Sequence, residues 1–358
     1  MARGSLVVAC GLLALTGCAS GGAGSAVSEP SANASDASAE VMDQAEWSKI
    51  EDAANKEGEV TVYGVVNAKT VDAITSGFAK DYPNIKLTYV RLSPSDIRAR
   101  LDAEIASGNA GADAVDNLDH ASFDGYAAKG ALLPLTVPSL GDPEFDRTKY
   151  ERTPYVAQFV DGPYAWAWNT KLLPQGISSW QDYLNLDVSQ LAATDPSIGP
   201  SVAAMYETFE GSDAGGSGFL DKLTAKGKPR IYAGSNPQVA ALAAGEVAAS
   251  LPVPVAVAAT IKATGAPIDY RLPPTTQSIT SELAVVKSAK HLNAAQVFAN
   301  WLLGKAGQGA VAQGGFVAVR GGTPQTIDTK GATLVELPQI TTDQFKAFLQ
   351  RWNQLLAQ

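Results

Sequence analysis

The sequence predicts an α/β fold built from mainly parallel sheets flanked by helices. Three observations predict it. Strand and helix patterns alternate as βαβαβα over the ninety or so residues that follow residue 43. A second unit of the same build follows a Pro-rich stretch at 134–154. The chain has 358 residues, and at roughly 100–200 residues per domain that is room for about two domains.

The elements follow in order. Trp47, Ile50 and Ala54 fall at helical spacing. Glu59 to Tyr63 reads as a strand, and Val71, Ile74 and Phe78 recur every three or four residues as an amphipathic helix. Pro83 disfavours helix at Tyr82. Ile85 to Val90 alternates as a strand. Ser93-Pro94-Ser95-Asp96 has the order of a helix start, with Ser at N-cap, Pro at N1 and an acid at N3. Ile97, Leu101 and Ile105 form its apolar stripe, and Gly108 stops it. Ala112 to Asp116 is a short strand, and Phe123 to Lys129 a short helix.

In the second unit Tyr164 to Trp168 is an aromatic strand, and Leu191 to Thr194 another. A helix carrying Val202, Met205, Tyr206 and Phe209 follows. Strands at Ile231–Ala233 and Val247–Leu251 alternate with helices at Gln238–Ala244 and Val255–Ala263. Glu282 to Val286 is a strand and Ala294 to Leu303 a helix. A last helix, about 342–356, places Phe345, Phe348, Leu349, Trp352 and Leu356 on one side.

The first forty residues read differently. Arg3 precedes an apolar run, Leu6 to Leu15, which is the build of a secretory signal peptide over 1–17. Leu15-Thr16-Gly17-Cys18 resembles a bacterial lipobox, which would make Cys18 the lipidated first residue of the mature chain. Residues 19–40 hold one Val and no other sizeable apolar side chain, so 18–42 reads as a flexible tether. Cys10 leaves with the signal and Cys18 carries lipid, so no thiol remains for a disulfide, a metal or a nucleophile.

Composition excludes other classes. Lys+Arg is 27 against 36 Asp+Glu, a net charge of −9 at pI ≈ 4.8. Phosphate neutralisation needs clustered bases, so a nucleic-acid partner is not expected. The motifs G-x-S-x-G, H-E-x-x-H and G-x-x-x-x-G-K-[ST] are absent. His120 and His291 sit near helix starts and read as solvated or capping residues rather than catalytic bases. Gly215 to Gly218 follows no strand and reads as a loop. Asp113, Asp116 and Asp119 are too few oxygens for a divalent cation. No cofactor is expected.

Ligands of parallel sheets bind outside the carboxyl ends of the strands. Asp195-Pro196-Ser197-Ile198-Gly199-Pro200-Ser201 joins a strand to a helix there. Its open helix N-terminus suits an anion, and plain capping by Asp195 or Ser197 explains it equally well. Asn67, between the first strand and its helix, poses the same choice.

Several segments, taken in order, resemble the periplasmic-type solute-binding proteins of bacterial ABC importers. Glu57 to Tyr63 resembles their opening strand, and Phe78 to Leu87 their F-x-x-x-Y-P-x-I-x-V stretch. Arg98 to Leu101, Gly108-Asn109 and Ala112 to Val115 resemble their L-x-A-R-L … E-x-x-x-G-x-x-x-A-D-V segment. Gly130 to Leu135 matches G-x-L-x-P-L, Ala165 to Thr170 the crossover strand, Ala243 to Ala248 A-x-G-E-x-A, and Ala294 to Phe298 A-A-x-x-F. The likeness runs from about 45 to 320 and is nearest the branch of ferric-iron and phosphonate or phosphate-ester binders.

The resemblance implies a two-lobed, type 2 fold, with 43–158 plus 279–358 as lobe 1 and 159–278 as lobe 2. It implies a ligand cleft between the lobes that closes by hinge motion, an ABC permease as partner, a monomer and no catalysis. The expected ligand is small and polar or anionic, possibly with an apolar part. Cleft-lining candidates are Asn67, Ser93, Asn117, Tyr164, Trp166, Asp195, Ser197, Ser201 and Gln277. Arg98 is a candidate counter-charge, outweighed by its reading as an exposed helix residue. The iron binders carry a Tyr pair where this chain reads Leu251 to Val255, so ferric iron is a lesser alternative. An enzyme, or a sensor or adhesion protein on the same fold, is the rival of another class.

Overall fold

The computed structural model describes residues 39–211 and 218–357. The signal, Cys18 and most of the tether lie outside them, as does most of the Gly215 cluster.

The chain opens with α1 (Gln44–Glu57), β1 (Glu59–Gly64), α2 (Ala68–Asp81), β2 (Lys86–Arg91), α3 (Pro94–Ser107), β3 (Ala114–Asn117), α4 (His120–Ala128) and β4 (Leu132–Leu133). A short α5 (Arg147–Tyr150) and β5 (Glu151–Thr153) lead into the long strand β6 (Val156–Asn169). Then come α6 (Trp180–Asn185), β7 (Leu191–Thr194), α7 (Pro200–Gly211), α8 (Phe219–Thr224), β8 (Arg230–Tyr232) and α9 (Ser235–Ala244). They are followed by β9 (Ala249–Pro254), α10 (Val255–Ala263) and β10 (Ile268–Arg271). A second long strand, β11 (Thr275–Val286), precedes α11 (Leu292–Leu303), α12 (Lys305–Gln313), β12 (Val317–Ala318), β13 (Thr333–Glu336) and α13 (Thr342–Ala357). Among the described residues no helix is long and apolar enough to cross a membrane.

The strand order is β2-β1-β3-β11-β6-β9-β7-β8. β1 runs parallel to β2 and β3, and β7 parallel to β8 and β9, as alternating strands and helices require. β6 and β11 hold the two halves together. The first half of β6 pairs antiparallel with β11 and its second half with β9 and β10. The molecule is two-lobed, and these strands are its crossovers. A register shift between Ser281 and Glu282 marks β11 where it enters the first lobe.

Each lobe has its own core. In the first, Trp47, Phe78, Phe298 and Trp301 pack α1, α2 and α11 together, and Ile97, Leu101, Phe123 and Tyr126 pack α3 and α4. Phe78 meets Phe298 and Trp301 edge-on at 5.6 and 5.5 Å. In the second, Trp166, Trp180, Tyr183, Tyr206 and Phe209 form an aromatic core.

That core also contains Leu337, Phe348, Trp352 and Leu355 from the end of the chain. The sequence reading put 43–158 and 279–358 in lobe 1. Instead α13 lays its apolar stripe on α7, with Trp352 stacked 4.9 Å from Tyr206. Two strands are longer than their hydrophobic patterns suggested. β9 continues through Pro254, and β11 begins at Thr275, because its polar half is satisfied by pairing with β6 and β13.

Candidate functional site

The carboxyl ends of β1, β2 and β3 carry three of the candidates, and two of them, Asn67 and Ser93, cap helices. Asn67 accepts from Thr70 N at 2.9 Å and its Nδ2 donates to Gly314 O at 3.4 Å. Ser93 caps α3 by accepting from Asp96 N at 3.2 Å. Asn117 is buried; its Oδ1 accepts from Leu118 N at 2.8 Å and its Nδ2 donates to Pro94 O at 3.4 Å. It therefore ties the loops after β2 and β3 to one another.

The loop after β7 carries the next three. Asp195 Oδ1 accepts from Ser197 N at 2.8 Å and so caps the short 3-10 turn Pro196–Ile198 that precedes α7. Capping of that turn is the arrangement found at Asp195. Ser197 is exposed and Ser201 half-buried in the first turn of α7. The last three candidates lie on the crossovers. Tyr164 and Trp166 are buried in the aromatic core of the second lobe, Trp166 edge-on to Trp180 at 5.6 Å. They pack the lobe rather than present an aromatic surface. Gln277 is buried on β11 opposite Val335. Among the described residues no hydrogen bond joins the first-lobe loops to the loop after β7. Arg98 is exposed and pairs with Asp119 at 3.3 Å. Pro252 and Val253 are buried within β9, so that stretch serves the core.

The acidic run after β2 is structural. Asp113 accepts from Thr61 N at 2.8 Å and pairs with His291 at 3.0 Å. Asp116 is buried beneath the β1–α2 loop. It accepts from Val65 N at 3.0 Å, from Ser281 Oγ at 3.3 Å and from Tyr89 Oη. Gly64 makes room for it, since a Cβ there would fall 2.0 Å from the Asp116 carboxylate. Burial pushes the Asp116 carboxyl up to about 6. The folded state therefore holds this proton more tightly than the unfolded chain does. Stability from this group is full below about pH 4 and is lost as pH rises through about 6. The displacement corresponds to about 3 kcal/mol. Asp116→Asn is expected to gain on the native protein by that order between pH 4 and 7 in urea titrations. A difference that stays constant over this range would contradict the assignment.

No motif or spacing in the sequence signals the polar cluster on the crossovers. His120 Nδ1 lies 2.7 Å from Glu336 Oε1, and its Nε2 lies 3.9 Å from Glu282 and 3.3 Å from Thr280 Oγ1. Arg152 holds Glu282 through two bonds of 2.5 and 2.9 Å and reaches Asp124 at 2.5 Å. Burial works against the charged imidazole, but Glu336 and Glu282 outweigh it and raise the His120 pKa. The same pairing lowers that of Glu336. His120 begins α4 in the first lobe, whereas Glu336 immediately precedes Leu337 of the second lobe's core. The pair thus joins the start of α4 to the end of β13. A second contact is steric: Gly315, at φ +96°, comes so near α10 that a Cβ would lie 3.3 Å from Ala256 Cβ. Beside the crossovers lies a cavity of about 490 Å³ whose lining includes Asp161 of β6, Val317 of β12 and Leu334 of β13. Among the described residues no group of three or more His, Cys, Asp or Glu is placed to hold a metal ion.

Solved structures share this architecture. Iron-bound HitA from Pseudomonas aeruginosa is 20% identical with a TM-score of 0.62, over 83% of this chain and 99% of that one. The substrate-binding protein of an ABC transporter from Agrobacterium tumefaciens is 15% identical with a TM-score of 0.66, over 85% and 97%. PotD, the spermidine/putrescine substrate-binding protein of Streptococcus pneumoniae, is 12% identical with a TM-score of 0.63, over 83% and 99%. No curated protein matches the chain. The profile of the bacterial extracellular solute-binding proteins matches residues 58–309. The chain belongs to that family, and so is an extracytoplasmic solute-binding protein of ABC import rather than an enzyme.

Proposed function

We propose that this protein captures a small polar solute between its two lobes and hands it to an ABC permease as a monomer tethered by lipid on Cys18. The observation that carries the reading is the pair of long strands, β6 and β11, joining two separately cored lobes. Such a ribbon bends where its two ends belong to different rigid bodies, which is the requirement for hinge closure on a ligand. We place residues 43–158 and 279 to about 332 in lobe 1, and 159–278 with α13 in lobe 2. HitA is an iron-bound relative in fold. At the β9–α10 junction this chain offers Leu251 to Val255 and no phenolate, so an organic solute fits better than ferric iron.

Mass spectrometry of small molecules released on denaturing the full mature chain tests the reading. A co-purifying solute is expected, and adding it back at 100 Kd should stabilise the protein by about 2.7 kcal/mol. If nothing co-purifies and no polar solute class raises the melting temperature, the reading falls. Iron as the only released species would favour the ferric alternative. For the anchor, Cys18→Ala is expected to move the protein from the membrane to the soluble fraction. An unchanged distribution would remove the lipid from the account.

A further inference from the structure

The cavity at the crossovers has the volume of a small-molecule site. Asp161, on β6, is 5% exposed. Its Oδ1 accepts from Ser278 Oγ at 3.0 Å and from Gln158 Nε2 at 3.0 Å. Its Oδ2 has no hydrogen-bond partner among the described residues. Burial raises the Asp161 carboxyl above the usual carboxylate range, with the two hydrogen bonds and Lys149 only partly offsetting it. A cation beside it would supply the stabilisation that water no longer gives.

Lys149 lines the same cavity from α5. Its ammonium lies 4.7 Å from the centre of the Tyr150 ring and forms no ion pair among the described residues. Lys149 and Asp161 thus line one space as opposite charges that attract each other but form no direct ion pair among the described residues. Val317 and Leu334 give that space apolar walls.

We propose that this cavity takes a small zwitterion, with its ammonium or guanidinium group at Asp161 Oδ2 and its anionic group at Lys149. The assignment rests on the solute-binding reading and adds the charge pattern of the solute. It also suits the acidic chain. A net charge of −9 gives no long-range help to a purely anionic solute. The approach of β12 to β6 and of β13 to β11 places the ligand where the lobes join, so binding there would fix the crossover in one conformation.

Calorimetry on the full mature chain at low salt tests it, using β-alanine, γ-aminobutyrate, lysine and arginine. Butylamine and butyrate serve as single-charge controls. At least one zwitterion is expected to bind, and each control at least tenfold more weakly. Asp161→Asn keeps the acceptor for Ser278 and Gln158, so its unliganded melting temperature should match or exceed that of the native protein. Asp161→Asn and Lys149→Met should each weaken the zwitterion at least tenfold. Failure of all four zwitterions, or equal binding by Asp161→Asn, overturns the assignment. If butyrate or a co-purified nitrogen-free acid binds both proteins equally, the zwitterion is wrong and the solute-binding reading stands. If nothing binds and nothing co-purifies, both fall.

Discussion

Trp352→Ala is expected to destabilise the protein by about 3–5 kcal/mol. Trp352 is buried on α13, stacks on Tyr206 at 4.9 Å and lies 6.2 Å from Phe348. Its removal empties the seam between α13 and α7. Tyr206 cannot follow to refill the space, because its hydroxyl donates to Thr194 O at 2.9 Å. The remaining contacts of α13 include Phe348, Leu355 and the Arg351–Asp221 pair at 2.7 Å, and none of them occupies the space that the indole leaves. Unfolding by urea, followed by far-ultraviolet circular dichroism, gives the magnitude. Limited proteolysis near residues 338–341 reports whether the helix lets go first. Gln350→Ala, on the exposed side, is the control and should stay within about 0.5 kcal/mol. A loss below about 1 kcal/mol for Trp352→Ala would mean that α13 is not part of the second lobe's core.

The stripe of α13 was legible in the sequence, because Phe345, Phe348 and Trp352 recur at helical spacing. Its docking partner was not, since periodicity says which side of a helix is buried and nothing about what buries it. The same division runs through the fold. β1, α2, β2, α3 and β3 were readable because alternation and caps are local signals. The first half of β11 was missed because Thr275 to Ser281 has no apolar pattern, and its strand character comes from pairing with β6 and β13. Asn67 and Ser93 stand at helix starts, and Asp195 at the start of a 3-10 turn before α7. Sequence alone left open whether their polar atoms serve a ligand or the backbone, and all three bond the backbone. Tyr164 and Trp166 looked like cleft aromatics, yet alternation along β6 sends both into the second lobe's core. The crossover cluster had no sequence signature at all. Arg152 and Glu282 are 130 positions apart, and only the return of β11 beside β6 brings them together.

Arg152→Ala is expected to cost about 3–5 kcal/mol, because it strands Glu282. That side chain is 3% exposed, and the two short bonds from Arg152 are its principal compensation. Without them the nearest cation is His120, whose Nε2 is 3.9 Å away. This makes the loss depend on pH. Below the raised His120 pKa the imidazolium supplies part of the missing charge, and above it that charge is gone. The cost of Arg152→Ala should therefore be larger at pH 8 than at pH 6. Glu282→Gln in the Arg152→Ala background removes the stranded charge and should recover most of the stability at pH 8. The two variants and their double form a cycle, read by urea unfolding at both pH values. A cost that is small at pH 8, or a double variant no more stable than Arg152→Ala, would show that Glu282 is compensated by groups other than Arg152.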